Sequence, residues 1–214
     1  MSYRIIQAGL SRSFPEAHPF LAHASADGDG DGVVYLGAQA GAAYRPDEQA
    51  SFVAIELGTE CLGVHTGEQR GNEGGNVVGF ARYRLGDSAP TLLVELVRQP
   101  QTLPQALIAA HQAFADAGLV VAVCNDFPGR IVDRLLRPYL NSALRRLDER
   151  LASADDLDRT LCLGLGHPEG PITRLERTGL HHHYAVSRAL YEALGQEAFA
   201  PARRAAVAAA RAGA

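Results

Sequence analysis

Carboxylates, thiols and imidazoles are the groups with which this chain can move protons or hold ions. Glu95 lies inside the apolar run LLVELV, where a strand-end carboxylate can act as a cap, pair with an arginine such as Arg130, or serve a functional role. Cys61 and His65 stand close together in CLGVH, and with Glu95 they supply a thiol, a base and a carboxylate if the fold gathers them. Asp27, Asp29 and Asp31 alternate with glycines and open like a calcium loop. The position that needs a bidentate glutamate is Ala38, however, so the run reads as a solvated turn. His181, His182 and His183 are consecutive, and successive helical side chains diverge by about 100°. The three cannot face one ion and read as a surface helix start, so no metal site is expected.

Composition narrows the chemistry. The chain has 214 residues, room for one large domain or two small ones, with 47% hydrophobic and 21% charged residues, as in ordinary folded proteins. All 20 basic residues are arginine, a bias that a GC-rich gene accounts for without any function. It excludes Schiff-base lysines, lysine bases and the lysine of P-loops, leaving phosphate contacts to arginine, hydroxyls and backbone N–H groups. A formal net charge of −4 argues against a nucleic-acid face. Cys61, Cys124 and Cys162 are odd in number and set in apolar runs, so buried thiols in a reducing compartment are expected. No apolar run is long enough to cross a bilayer and MSYRIIQAGLS has no leader pattern; a cytoplasmic protein without membrane contact is the expectation.

The texture changes near residue 103. Before it, glycine-punctuated runs predict strands over 3–7, 32–36, 51–57, 61–65, 77–83 and 92–97, with turns at Gly28, Gly30, Gly71, Gly74 and Gly75. After it, helical spacing runs from Pro104 to Gly118, and a strand follows over 120–125. Beyond the Asp126-Phe127-Pro128-Gly129 turn, Ile131, Leu135, Leu136, Leu140, Ala143, Leu144, Leu147 and Leu151 form one stripe of a long helix, bent at Pro138. Ser153 and Asp156 are spaced as a capping box that starts a helix through Leu163. Helices over 172–178 and 182–194 and an Ala/Arg-rich one from Pro201 complete the chain. The prediction is an α/β domain over 1–102, its final helix and strand continuing to about 125, and an all-helical domain over 126–214.

LVELVRQPQT (93–102), DFPGRIVDRLLRPYLNSAL (126–144) and ASADDLDRTLCLGLGHPEGP (152–171) together resemble the 3-hydroxyacyl-CoA dehydrogenase family, chiefly its C-terminal helical domain, over about residues 91–195. The resemblance implies a shortened Rossmann-like sheet followed by a helical domain of the 6-phosphogluconate dehydrogenase C-terminal-like type. It implies NAD-dependent oxidation of (S)-3-hydroxyacyl-CoA and a dimer formed through the helical half. It also implies a histidine base held by a glutamate, with an asparagine and a serine polarising the substrate. The glutamate matches Glu95, but the histidine position is Ala81 in VVGFARYRL. The asparagine position is Asp133, which when ionised cannot donate a hydrogen bond, and the serine position falls near Cys61, a weaker donor. Arg98, Arg130 and Arg134 are candidates to meet CoA phosphates, and His167 lies in the glycine-rich corner on the family's substrate side.

A dinucleotide fingerprint needs three glycines after the first strand, for the tight turn, for approach of pyrophosphate and for helix packing. After YRIIQ this chain has Gln7, Gly9 and Arg12 there, so only Gly9 persists, and the stretch from Gly9 to Ala81 is short for a complete nucleotide half. NAD is thus implied by resemblance alone and is not expected to bind. The expected protein is a diverged, impaired 3-hydroxyacyl-CoA dehydrogenase-like oxidoreductase of fatty acid metabolism, a pseudoenzyme. The alternative is a non-catalytic acyl-CoA-binding or dimerisation subunit, pairing with itself or with an intact dehydrogenase subunit.

Overall fold

The structure is a computed structural model and describes residues 2–25 and 30–213. Gly28, Asp27 and Asp29 of the calcium-like run lie outside the described residues. The elements are β1 (Tyr3–Gln7), α1 (Pro19–Ala22), β2 (Gly32–Leu36), α2 (Ala40–Ala43), β3 (Phe52–Glu56), α3 (Gly63–Thr66), β4 (Gly74–Gly75), β5 (Val77–Arg82), β6 (Leu93–Arg98), β7 (Gln101–Thr102), α4 (Pro104–Asp116) and β8 (Val120–Asn125). Helices α5 (Ile131–Asp148), α6 (Ala154–Leu165), α7 (Pro171–Thr178), α8 (Leu180–Leu194) and α9 (Arg203–Ala212) follow. The chain divides into two compact units, Met1–Arg84 with Pro90–Arg130, and Leu85–Ala89 with Ile131–Ala214. Among the described residues, no helix is long and apolar enough to cross a membrane.

In the first unit six strands form a sheet in the order β1-β2-β3-β5-β6-β8. β1, β2, β3 and β5 are parallel, β6 is antiparallel to β5, and β8 is parallel to β6. GVVYL and FVAIE are buried along their whole length, as strands covered on both faces must be. The period of two sends Val34, Leu36, Phe52 and Ala54 to one layer and Val33, Tyr35, Val53 and Ile55 to the other. On the first layer α4 lays Ala106, Ala109, Ala110 and Ala113, a helical stripe small enough for close approach. Beside it Phe114 stacks on Phe20 with ring centroids 4.6 Å apart and tilts against Phe80 at 5.0 Å.

The strand order never reverses from β1 to β5. A doubly wound nucleotide-binding sheet keeps its first strand in the interior, where the order does reverse. Here β1 is an edge strand: among the described residues nothing pairs with its free side.

Two sequence expectations are corrected in this unit. The strand expected over 61–65 is instead the helical turn α3, because the Asp126 carboxylate accepts Leu62 N (2.7 Å) and Gly63 N (2.8 Å) and caps it. Gly74 and Gly75, expected as a turn, pair in parallel with Gln101 and Thr102.

The second unit packs α5 to α9. The predicted stripe of α5 is only partly inward: Leu140, Ala143 and Leu144 are buried, but Leu135 is 73% and Leu151 68% exposed. The buried face is rotated to take in Arg137 and Asn141, polar groups that find partners inside. The capping box forms as expected, Ser153 Oγ accepting Asp156 N at 3.1 Å and donating to Asp156 Oδ2 at 2.8 Å. Asp158 of α6 caps α7 in the same way, accepting Ile172 N (2.8 Å) and Thr173 N (2.9 Å).

Phe114 joins the helix α4 to the aromatic ladder, so Phe114→Ala is expected to lower stability by about 3–5 kcal/mol. Urea unfolding followed by circular dichroism reads this as a lower midpoint with an unchanged slope.

Candidate functional site

The residues aligned with a catalytic pair fall on neighbouring strands. Ala81 of β5 is the direct antiparallel partner of Glu95 of β6, and Glu95 also pairs with Ala122 of β8. Glu95 is only 1% exposed. Opposed residues hold their Cβ atoms about 5 Å apart, so a side chain at 81 lies within reach of that of Glu95. The residue there is a methyl group, with no proton acceptor to orient.

Cys61, Cys124 and Cys162 are half-buried, more open than expected. Burial, then Asp126, pushes the Cys61 thiol above its usual range, with Arg130 opposing; burial likewise raises Cys124. Both are thiols at neutral pH and poor nucleophiles. His65 lies 3.5 Å from Glu60 Oε1, with its ring against Gly41, and makes no hydrogen bond to Cys61. The thiol, base and carboxylate considered from the sequence are therefore not assembled as a set.

Arg130 is 4% exposed and donates from Nη2 to the carbonyls of Glu60 (2.6 Å) and Phe127 (2.9 Å). It is built into the corner around α3, where burial withholds it from the phosphate contact expected of it. Arg98 Nε donates to Asn125 Oδ1 at 3.1 Å. Together with Glu68, Glu73, Asp126 and Phe127 it lines a cleft of about 350 Å³ at the carboxyl ends of β6 and β8.

The loop after β1 holds Gly9, at φ 91°. Its donors converge on a group the sequence reading did not single out. Glu56, at the end of β3, accepts Ser11 Oγ (3.0 Å) and Ser13 N (2.7 Å) on Oε1, and Gly37 N (2.6 Å) on Oε2. The helix that follows, α1, has four residues, begins at Pro19 and is capped by His18.

In the helical unit, Asp133 Oδ1 lies 2.8 Å from both Nε and Nη2 of Arg137. Arg137 is 1% exposed, and its Nη1 lies 3.2 Å from Nδ1 of His183, itself 1% exposed. Arginine only donates, so Nδ1 accepts and Nε2 carries the proton, which it gives to Asn141 Oδ1 at 2.9 Å. His183 is thus a core residue, and the expectation of three surface histidines holds for only two. Asp133 is occupied by this ion pair. Arg134 is half-buried on α5, and His167 Nδ1 lies 3.2 Å from the Tyr139 hydroxyl.

Residues 129–214 match the family described as 3-hydroxyacyl-CoA dehydrogenase, C-terminal domain. By this match, the helical half resembles the C-terminal domain of that family. A probable 3-hydroxybutyryl-CoA dehydrogenase of Deinococcus radiodurans is 33% identical over 109 residues, 51% of this chain and 39% of that protein. The mitochondrial hydroxyacyl-coenzyme A dehydrogenase of Sus scrofa is 40% identical over 102 residues, 47% of this chain and 32% of that one. The matched stretch thus spans well under half of these curated relatives. The fold extends the likeness further: the (S)-3-hydroxybutyryl-CoA dehydrogenase of Ralstonia eutropha superposes with a TM-score of 0.69 at 23% identity, covering 86% of this chain and 66% of that one.

Glu56 and the Arg137–His183–Asn141 network are buried polar groups missed from sequence. Glu56 had a visible signal, a charged residue closing an apolar strand. Glu56→Gln turns one acceptor oxygen into a donor facing donors and is expected to lower unfolding stability by roughly 1–3 kcal/mol in urea.

Burial, then Arg137, lowers the His183 pKa to about 3. Unfolded imidazole takes up its proton near pH ~6.5. Between those values the unfolded chain binds more protons, so stability falls as pH falls. Unfolding measured from pH ~6.5 down to ~4 is expected to show a loss approaching about 1 kcal/mol per pH unit, and His183→Gln a shallower slope.

Proposed function

We propose that this chain is a diverged 3-hydroxyacyl-CoA dehydrogenase-like protein, impaired in NAD-dependent oxidation of 3-hydroxyacyl-CoA, that serves as a non-catalytic acyl-CoA-binding subunit. The observation that carries this reading is the loop after β1, whose donors are engaged by Glu56 instead of being open to a pyrophosphate. An anion site at a helix start needs free N–H groups, and α1 is one turn long and opens on a proline. With β1 at the sheet edge there is no crevice at a strand-order reversal. The residues present do not fit a dinucleotide.

Ala81 opposite Glu95 supports the same reading, since general acid–base catalysis contributes about 10²–10⁴-fold and has no base here. Glu95, Asp133 and Cys61 then stand at catalytic positions by resemblance only. Arg134 and His167 on the helical unit are the side chains we assign to contact an acyl-CoA.

A second reading, a dimerisation subunit pairing with itself or with an intact dehydrogenase, is favoured by Leu135, Leu163 and Leu165, exposed at 73%, 81% and 66% on the helical unit. Calorimetric titration with acetoacetyl-CoA, run with and without NADH, tests both. Binding of the CoA ester with an affinity indifferent to NADH is expected. Tightening by NADH would mean coupled sites and overturn the reading. Absence of CoA-ester binding, together with a dimer in sedimentation, would select the second one.

A further inference from the structure

The segment Leu85–Ala89 lies between β5 and β6 in sequence but belongs to the helical unit. It is pinned there at several points. Leu85 is 8% exposed. Gly86, at φ 55°, approaches α7 so closely that a Cβ on it would lie 1.7 Å from Thr178 O. Ser88 Oγ accepts from Arg177 Nη1 at 3.2 Å. The residue between these anchors is Asp87, whose Oδ2 lies 2.9 Å from His182 Nε2.

His181 stands beside His182. On an ideal helix the two rings diverge by about 100°. Here they sit at the first turn of α8, after Gly179 at φ 87°, and their ring centroids are 3.9 Å apart. One ligand atom from each of Asp87, His181 and His182 lies within 4.8 Å of the others. Asp87 is exposed and both histidines are half-buried. His183 is turned into the core and takes no part.

We propose that Asp87, His181 and His182 form a binding site for a divalent first-row transition metal, zinc first. Two imidazoles and one carboxylate are a borderline donor set suited to such ions, whereas calcium and magnesium call for oxygen ligands. Zinc bonds to nitrogen and oxygen of about 2.0–2.2 Å place tetrahedral ligand atoms about 3.4 Å apart. Small rotations of the exposed Asp87 and of the two rings bring the three donors to that spacing, and the ion replaces the proton shared by Asp87 and His182. The open side leaves the fourth position to water. Arg177, which anchors Ser88, is matched by Glu169, with Nε–Oε1 and Nη2–Oε2 both at 2.8 Å. A bound ion fastens Leu85–Ala89 to the start of α8, a role independent of acyl-CoA binding.

The test uses the full chain freed of metal by dialysis against a chelator, then titrated with Co²⁺ and with Zn²⁺ against a chromophoric chelator. One equivalent is expected to bind, with visible Co²⁺ absorption of low coordination number and slower hydrogen exchange over 85–89 with Zn²⁺. Asp87→Asn is expected to weaken binding by at least about tenfold, the loss that removing even an outer-shell partner causes. The double variant His181→Gln/His182→Gln is expected to abolish binding, and His111→Gln, on the exposed face of α4, to leave it unchanged. Circular dichroism establishes that each variant is folded. No uptake of Zn²⁺ at micromolar concentration, or uptake that survives the double variant, would overturn the proposal.

Discussion

A carboxylate buried at the end of a strand is tolerated only where donors surround it. Glu56 holds that position at the end of β3, and its donors come from Ser11, Ser13 and Gly37. The chain leaving β1 is therefore drawn in toward β3, and Ser13 Oγ in turn accepts Arg82 N of β5 at 3.2 Å. Phe14, the next residue, is thereby seated against Phe20 in the aromatic ladder, at 4.8 Å between centroids. One charge thus fixes the loop, and the loop helps fix the core. The same donors cannot serve an external anion at the same time, so the packing of this unit and its ligand chemistry are set by one interaction.

How much of the fold can be read from sequence follows from period and burial. β1, β2, β5, β6 and β8 are legible because β-branched and aromatic residues come in short runs bounded by turn residues, and α4 because alanines recur at helical spacing. CLGVH misleads for a physical reason: a five-residue apolar run fits a strand or a helical turn equally, and the deciding cap, Asp126, lies far away in sequence. The α5 stripe misleads for another. Hydrophobicity alone points the helix toward Leu135, whereas the pairing of Arg137 with Asp133 and His183 lets a charged residue replace a leucine inside.

The candidate site is legible where it rests on identity and illegible where it rests on orientation. That residue 81 is an alanine, with no base, is a statement about residue type, and the register opposite Glu95 gives it a place. That Arg130 is buried, that His65 turns to Glu60, and that His183 separates from its two neighbours depend on which way side chains point at a helix start, and no spacing rule carries that information. Asp87 is the clearest case. Nothing in its surroundings in sequence ties it to residues 181 and 182; the seating of Gly86 against Thr178 and the Ser88–Arg177 bond do so.

The two units treat their polar groups differently. In the sheet unit, Glu56 is satisfied by the loop, Arg130 gives its Nη2 to two carbonyls, and Glu95 lies beside a methyl. The bonds to Glu56 hold the loop after the edge strand β1 against β3. In the helical unit Asp133, Arg137, His183 and Asn141 engage one another, but Asp87, His181 and His182 keep their polar atoms near solvent, held by backbone that is itself well packed. Groups that close on one another contribute rigidity, and groups kept open on rigid supports are placed to meet a ligand.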